Sequence, residues 1–467
     1  MSRLVWLYLS CLILSACDYG ASQRHRTTTA AGDLPQDRLV RVYFNHRQTN
    51  PQTYREPYRR VERGGDNLEA VIVREIAAAQ QTIDLAVQEL NLPLVALALA
   101  DKKRAGVRVR VILDNNYSQS LIKLTAAEVK QLDRRSQQKR RELYLLVDLN
   151  GDGRLSPKEV ATRDALTILQ EAGVPIVDDS ADGSQGSGLM HHKFLVVDEQ
   201  TVVTGSTNFT LSGVHGDFGD PNTRGNINHL LRIENRQLAR LFTTEFNYMW
   251  GDLDLGIASR FGLAKPRRSP QTVTSQDTQI TVQFSPTSQK QDWSLSTNGL
   301  IARTLSSAAQ SIDLALFVFS EQELANALQQ QRDRGVKIAG VFDRGFAYRY
   351  YSEVLDLLGL TSTFRCQIES NNNPWLNPLT QIGVIEQISG DKLHHKFAII
   401  DRQTIISGSS NWSKAANRQN DEAVLIINNR LVARHFQQEF ERLSSLASFD
   451  ISPALKYRLK QQQQKCS

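Results

Sequence analysis

The chain has 467 residues, of which 40% are hydrophobic, and a formal net charge of +6. This length and composition exclude a disordered or fibrous chain and predict two or three globular domains with a sizeable core. The positive balance favours acidic partners such as phosphates or anionic lipid, but over so long a chain it selects none of them.

The N-terminus carries one positive charge at Arg3, an apolar run over residues 4–14, and then Ser15, Ala16 and Cys17. The run is too short for a permanent membrane span. The sequence LSAC resembles a bacterial lipobox, which implies a signal peptide over residues 1–16 and lipidation of Cys17. Attachment by more than one acyl chain is firm, so the resemblance places the protein in the cell envelope, anchored to a membrane and facing the periplasm or exterior. Residues 17–37 read as a tether, and no later segment is apolar enough to cross a bilayer. Of the remaining cysteines, Cys366 and Cys466, the second lies in a polar tail, residues 448–467, ending KQQQQKCS. Such a tail is expected to lack order, so no disulfide is expected.

From residue 38 onward four blocks occur twice in the same order, as internal repeats do. LVRVYFNHR pairs with ITVQFSPTS, and the block ending in TIDLAV at Val87 pairs with the one ending in SIDLAL at Leu316. A third pair ends at Asp114 and Asp343, and a fourth begins HHKF at His191 and His394. Each half alternates helical periodicity with short Val- and Ile-rich strands, which implies a layered α/β domain with helices on both faces of a mostly parallel or mixed sheet. The expected domains are residues 38–250 and 279–447, joined by a Gly-, Pro-, Ser- and Thr-rich linker over 251–278.

The halves differ in length. From Ile83 to His191 is 108 residues and from Ile312 to His394 is 82, so the first half holds about 26 extra residues, within an insertion spanning about 118–165. Inside it, DLNGDGRLSPKE over residues 148–159 matches a twelve-residue EF-hand loop. Asp148, Asn150, Asp152, Ser156 and Glu159 supply oxygen donors at the expected places. Arg154 sits where a backbone carbonyl ligates, and Gly153 where the turn is sharp. The expected ligand is Ca²⁺, with flanking helices over 126–146 and 157–171. The basic run at 134–141 reads as a solvated helix face.

Each half then carries His, any residue, Lys, four residues, Asp, and later Gly-Ser-x-Asn. The candidate catalytic set is His191, Lys193, Asp198, His394, Lys396 and Asp401, with Ser206, Asn208, Ser409 and Asn411 as substrate-binding donors. Residues two apart on a strand point the same way, so each His and its Lys face one pocket. Two ammoniums with amide and hydroxyl donors can stabilise a phosphodiester transition state without a metal, while one imidazole attacks and the other protonates the leaving group. Asp198 and Asp401, at strand ends, read as turn-fixing or supporting residues rather than proton carriers. His192 and His395 alternate to the opposite face and read as packing residues.

This pattern resembles the phospholipase D superfamily over residues 39–446. The resemblance implies two α/β/α sandwich halves with mixed sheets related by a pseudo-twofold axis, a site between them, and catalysis through a phosphohistidine with no cofactor. It further implies a carboxylate that orients the catalytic imidazole. Glu422 matches that place in the second half, while the first half has Asn228. On this reading His191 is the nucleophile beside a neutral Asn228, and Glu422 keeps His394 protonated as the acid. The reverse assignment stands beside it, because a carboxylate also stabilises charge on an attacking imidazole. A glycerophospholipid head group is the expected target and a monomer the expected state. The alternative is an envelope nuclease on DNA or RNA, with Tyr348, Tyr350, Tyr351 and Trp375 as base-stacking candidates. A non-enzymatic role fits poorly with two complete motifs.

Overall fold

The Val- and Ile-rich runs become strands covered on both faces, where β-branched side chains pack well. A computed structural model describes residues 34–48, 53–180, 188–252, 256–385 and 390–466. The expected signal peptide, Cys17 and most of the tether lie outside the described residues.

In the first half, seven strands run in the spatial order Val40–Phe44, His229–Glu234, Thr201–Gly205, Lys193–Val197, Thr82–Val87, Arg108–Leu113 and Ile176–Asp178. The last three are parallel and the others antiparallel. The second half repeats this order in a nine-stranded sheet. Lys396–Ile400 lies between Thr404–Gly408 and Ser311–Leu316, and Lys337–Asp343 follows in parallel. Both His-Lys strands are therefore central, with Val87 opposite Lys193 and Leu316 opposite Lys396.

Helices Leu68–Ala78 and Thr297–Ser306 cover the outer faces, each started by a side-chain cap from Asn67 or Ser296. Helices Arg236–Trp250 and Arg430–Leu446 turn apolar faces inward. There Phe194, Phe242, Phe284, Phe397 and Phe436 join one core that runs through both halves. The ring pairs Phe242–Phe284 and Phe397–Phe436 meet edge to face at 5.1 and 5.0 Å. Burial of each such ring contributes about 1.5–3 kcal/mol, so the halves are welded by the same forces that build each of them.

Three boundaries differ from expectation. Strand Gln271–Ser275 lies inside the expected linker and pairs with Thr278–Phe284 as an edge of the second sheet. Its Thr-rich sequence hid a single inward Val273. The polar tail forms helix Pro453–Cys466, docked through buried Leu455 and Leu459 four residues apart, and Cys466 is bonded to Cys366. One helical turn of spacing between two leucines is enough to seat a Gln-rich helix, which composition alone concealed. In the insertion, Asp133 and Asp164 cap new helices through the amides of Ser136 and Thr167, splitting each expected helix in two. The helices are Ala126–Gln131, Arg134–Val147, Pro157–Arg163 and Ala165–Glu171. An aspartate that captures backbone amides starts a helix rather than continuing one. Among the described residues no helix is long and apolar enough to cross a membrane.

Candidate active site

The segments before the two His-Lys strands are stitched across the pseudo-twofold axis. The amide of His191 donates to the carbonyl of Asp421, and that of His394 to the carbonyl of Ile227, both at 3.0 Å. Each histidine is thereby laid beside a residue of the opposite half. His191 Nδ1 lies 2.8 Å from Glu422 Oε2, and His394 Nδ1 lies 3.0 Å from Asn228 Oδ1. This corrects the expected pairing. Glu422 serves His191, not His394, because the orienting residue and the histidine in its own half lie on opposite sides of the axis.

The Asn228 amide is pinned on every side. Its Nδ2 donates to the Gly213 carbonyl at 2.9 Å, and its Oδ1 also accepts from Ser206 Oγ at 2.7 Å. Oδ1 thus takes the Nδ1 proton of His394 and leaves Nε2 as the free lone pair. Lys396 Nζ is 3.3 Å from that Nε2. Each lysine also donates to the carbonyl of its own motif histidine, Lys193 at 2.7 Å and Lys396 at 2.8 Å.

All four groups are buried. Burial lowers Lys193 to about 7, against the raising pull of Glu422 and Asp114. Lys396 falls well below the ordinary lysine range through burial and then repulsion from Lys193. His191 is lowered to about 4 by burial, which outweighs Glu422, and His394 is held well below the ordinary imidazole range by burial and the two lysines. Cations crowded into a dry pocket are the condition that an anion relieves.

Two supporting residues were not singled out from sequence. Asp114 and Asp343 are buried, and each accepts at 3.1 Å from the amide of the residue before a motif histidine, Met190 or Leu393. Both also pull electrostatically on the nearby lysine. The signal was present, since both repeated blocks end on these aspartates.

Other expected site residues stand apart from the reacting groups. Asp198 and Asp401 adopt left-handed φ values of 50° and 51°. They accept three backbone amides each, from residues 80–82 and 309–311. Seven residues of extended chain, roughly 20 Å, separate them from the histidines, so they fix turns and do not touch the site. Ser206 and Ser409 are also corrected, because their hydroxyls are buried on Asn228 and on the Ala423 amide rather than facing substrate. Asn208 and Asn411 differ. Their Oδ1 atoms are buried without a hydrogen-bond partner among the described residues, and Asn208 lines the cavity. His192 and His395 face away, toward Glu245 at 3.3 Å and Glu439 at 2.9 Å.

His191 and His394 open into a cavity of about 600 Å³. Its far wall is the inserted helix Arg134–Val147, which contributes Arg135, Lys139, Glu142, Leu143 and Leu146. The basic run read as a solvated face therefore borders the site along one edge. Trp375 is 2% exposed within the second outer core, so it offers no stacking face. Tyr348, Tyr350 and Tyr351 do not line this cavity either, and Tyr350 lies against Phe364 with ring centroids 5.0 Å apart.

The EF-hand-like loop begins at Asp148, where the wall helix ends. Gly151 and Gly153 adopt φ values of 69° and 75°, and Asp148 accepts from both of their amides. Glu159 reaches back to Leu149 at 2.9 Å and caps Ser156. The oxygen donors have the chemistry of a calcium site. Their carboxylates are turned onto the loop's own amides, and among the described residues no three His, Cys, Asp or Glu side chains converge as a metal site.

With this geometry in view, comparison with known proteins assigns the family. The family model for "Cardiolipin synthase, PLD-like domain" matches residues 72–250 and 301–444, more than half of the chain. The chain belongs to this phospholipase D-like family. It is 33% identical over 143 residues to the mitochondrial cardiolipin hydrolase of Homo sapiens, covering 31% of this chain and 49% of that one. To a phospholipase D of Rickettsia felis it is 29% identical over 140 residues, covering 30% and 60%. The matches thus span about half to three-fifths of these relatives' lengths. The phosphatidylserine synthase of Haemophilus influenzae superimposes with a TM-score of 0.53 at 12% identity, covering 85% of this chain and 90% of the other. That likeness bears on the fold, two mixed α/β halves.

Proposed function

We propose that the protein hydrolyses or exchanges the head group of a glycerophospholipid through a phosphohistidine on His191. The observation that carries this reading is the pair of imidazoles, each fixed through Nδ1 by the opposite half, opening into one partly apolar cavity with the buried lysine pair beside them. Leu143, Leu146, Leu189 and Phe218 give that cavity an apolar side suited to an amphiphile.

In this mechanism the phosphodiester anion enters beside Lys193 and Lys396 and raises the pKa of both imidazoles. His394 Nε2 then carries a proton while Glu422 holds the Nδ1 proton of His191. The Nε2 lone pair of His191 attacks phosphorus, the bond from phosphorus to the head-group oxygen breaks, and that oxygen takes the His394 proton. Water or an alcohol then gives its proton to His394 and attacks phosphorus, and the N–P bond breaks to restore His191. Asn208, which lines the cavity, and Asn411 are the amides proposed to steady the equatorial oxygens.

The test is a panel of phospholipid vesicles and single- and double-stranded DNA, assayed in one preparation of protein starting at Asp18. Head-group release or exchange is the expected result. DNA cleavage without lipid turnover would favour the nuclease instead.

Two further parts of the reading concern the periphery. Cys17 is proposed as a lipid anchor that brings the enzyme to its substrate, and fatty-acid labelling of the precursor checks it. Calcium is proposed at Asp148, Asn150, Asp152, Ser156, Glu159 and the Arg154 carbonyl, where it would neutralise and stiffen the loop without entering the chemistry. Glu159→Gln should weaken calcium binding at least tenfold by calorimetry, since a bidentate carboxylate dominates such sites. No binding to the wild type at millimolar calcium would leave the loop a turn.

A further inference from the structure

The aromatic rings beside His394 continue out of the cavity. Phe317, which lines it, stands 4.7 Å from the His394 ring and 4.6 Å from the Phe346 ring. Phe346 lies in the short helix Arg344–Ala347, directly after strand Lys337–Asp343, and so leaves the sheet at the end where Asp343 supports the site. The Arg349 guanidinium is 6.0 Å from the Phe346 ring, and the next residue, Tyr350, stacks on Phe364 with centroids 5.0 Å apart. A path of rings thus leads from the reacting imidazole to the surface of the second half. It ends in solvent, where Tyr350 is 36% exposed, Phe364 50% and Ile368 56%. Large apolar groups gathered at one place on a surface mark a docking site.

This rim is pinned in place rather than buried. Phe364 and Gln367 exchange both backbone hydrogen bonds at 3.0 Å, which closes a two-residue turn on Arg365 and Cys366 at φ values of 53° and 61°. Cys366 is bonded to Cys466 at the end of the tail helix, and Gln462 of that helix donates to the Thr363 carbonyl at 3.0 Å. One turn earlier Arg458 donates to the Tyr348 carbonyl at 2.6 Å. Exposed rings on a backbone so constrained lose little freedom when they bind. The charge beside them is one-sided. Arg344, Arg349 and Arg458 line a recess of about 350 Å³, and among the described residues that line it none is acidic. Arg365 adds its guanidinium 5.2 Å from the Phe364 ring. Of the acids near in sequence, Asp450 does not line the recess, and Glu369 lies toward the buried Asp356, whose repulsion adds to burial in raising its pKa.

We infer that Tyr350, Phe364 and Ile368, with Arg349, Arg365 and Arg458 around them, form a ledge that enters the interface of an anionic membrane and turns the cavity mouth toward the bilayer. This rests on the phospholipid reading above and adds an orientation to it. A lipid chain on Cys17 would bring the enzyme to a membrane through a tether without aiming the site. The ledge supplies that aim, because aromatic rings settle at the head-group level and arginines are drawn to a negative surface. It responds to the charge of the surface as a whole, so it leaves the identity of the substrate head group open. Single-stranded nucleic acid fits the ledge less well. The Phe364 ring is already covered by the Tyr350 ring and the Arg365 guanidinium, which leaves its edge exposed and no face for a base.

The test uses protein starting at Asp18, so that no acyl chain masks the ledge. Co-sedimentation with vesicles of phosphatidylcholine, alone or mixed with phosphatidylglycerol, compares wild type, Arg365→Gln and the double variant Phe364→Ser/Ile368→Ser. Wild type should bind the mixed vesicles more tightly than the neutral ones. The double variant should weaken that binding about tenfold and Arg365→Gln about fivefold, the scales of two lost interfacial side chains and one lost cation. Turnover of the best lipid from the panel above is then measured in vesicles and as a short-chain monomer. The variants should raise KM on vesicles and leave turnover of the monomer unchanged. Circular dichroism and melting curves like those of wild type confirm that they fold. Vesicle binding equal in all three proteins, or equal losses on vesicles and monomer, would overturn the ledge while leaving the phospholipid reading intact. Wild type that binds no vesicle and turns over no lipid, but cleaves a single-stranded oligonucleotide, would overturn both.

Discussion

His191→Ala is expected to abolish turnover of a phospholipid, lowering kcat/KM roughly 10⁴-fold or more, because no neighbouring group can replace a nucleophile fixed at Nδ1. Rapid denaturation during turnover, followed by peptide mass spectrometry, should find the phosphoryl group on the peptide containing His191. His394→Ala should behave differently. With a natural head group it should be nearly inactive, but with an activated aryl phosphodiester, whose leaving group needs no proton, the first step should survive. The opposite pattern, with the adduct on His394 and the aryl substrate rescuing His191→Ala, would exchange the two roles. No adduct and full activity in His191→Ala would remove the mechanism altogether.

This assignment shows where sequence was sufficient and where it was not. The repeat and the turn role of Asp198 and Asp401 follow from spacing along the chain, and strand periodicity is a local property. The pairing of Glu422 with His191 is not local. It depends on Met190 bridging Asp421 and Ile227 bridging Leu393 across the axis, contacts between segments more than 160 residues apart that no spacing encodes. The proposal that His191 attacks now rests on a different physical reason. A neutral Asn228 was expected to keep His191 unprotonated, whereas burial does so, and Glu422 is available to stabilise the charge that grows as the N–P bond forms.

Similar reasons account for the rest. The basic run at 134–141 has the composition of a solvated helix, and only its docking against Glu89 and Gly219 reveals that Arg135 and Lys139 line the cavity. Trp375 is an exposed stacking residue by composition and a core residue by topology, because the loop that carries it folds back and the Trp375 amide donates to the Asp356 carbonyl at 2.9 Å. The tail helix likewise depended on a partner surface, with Gln462 accepting from Ser362 while the leucines dock. Each miss involves a segment whose sequence is polar and whose order comes from distant contacts.

The crossed pairing makes its own prediction at Glu422. Glu422→Gln keeps an acceptor for the Nδ1 proton of His191 but removes the negative charge, so kcat should fall about 10- to 100-fold, the usual scale for a partner behind a reacting imidazole. The pH profile should report which role that imidazole has. The Glu422 carboxylate raises the His191 pKa against the larger effect of burial, so removing its charge lowers that pKa further. A nucleophile must be unprotonated, and the acid limb of the rate profile follows its pKa in the substrate complex. In Glu422→Gln that limb should therefore move to lower pH while the basic limb, set by His394, stays in place. If His191 were the general acid, the same substitution would move the basic limb down instead, because the proton would be lost at lower pH. Asn228→Asp supplies the complementary measurement, since a charge beside His394 should raise the basic limb. A basic limb unchanged in Asn228→Asp but shifted in Glu422→Gln would show that the histidine roles are the reverse of those drawn from the adduct.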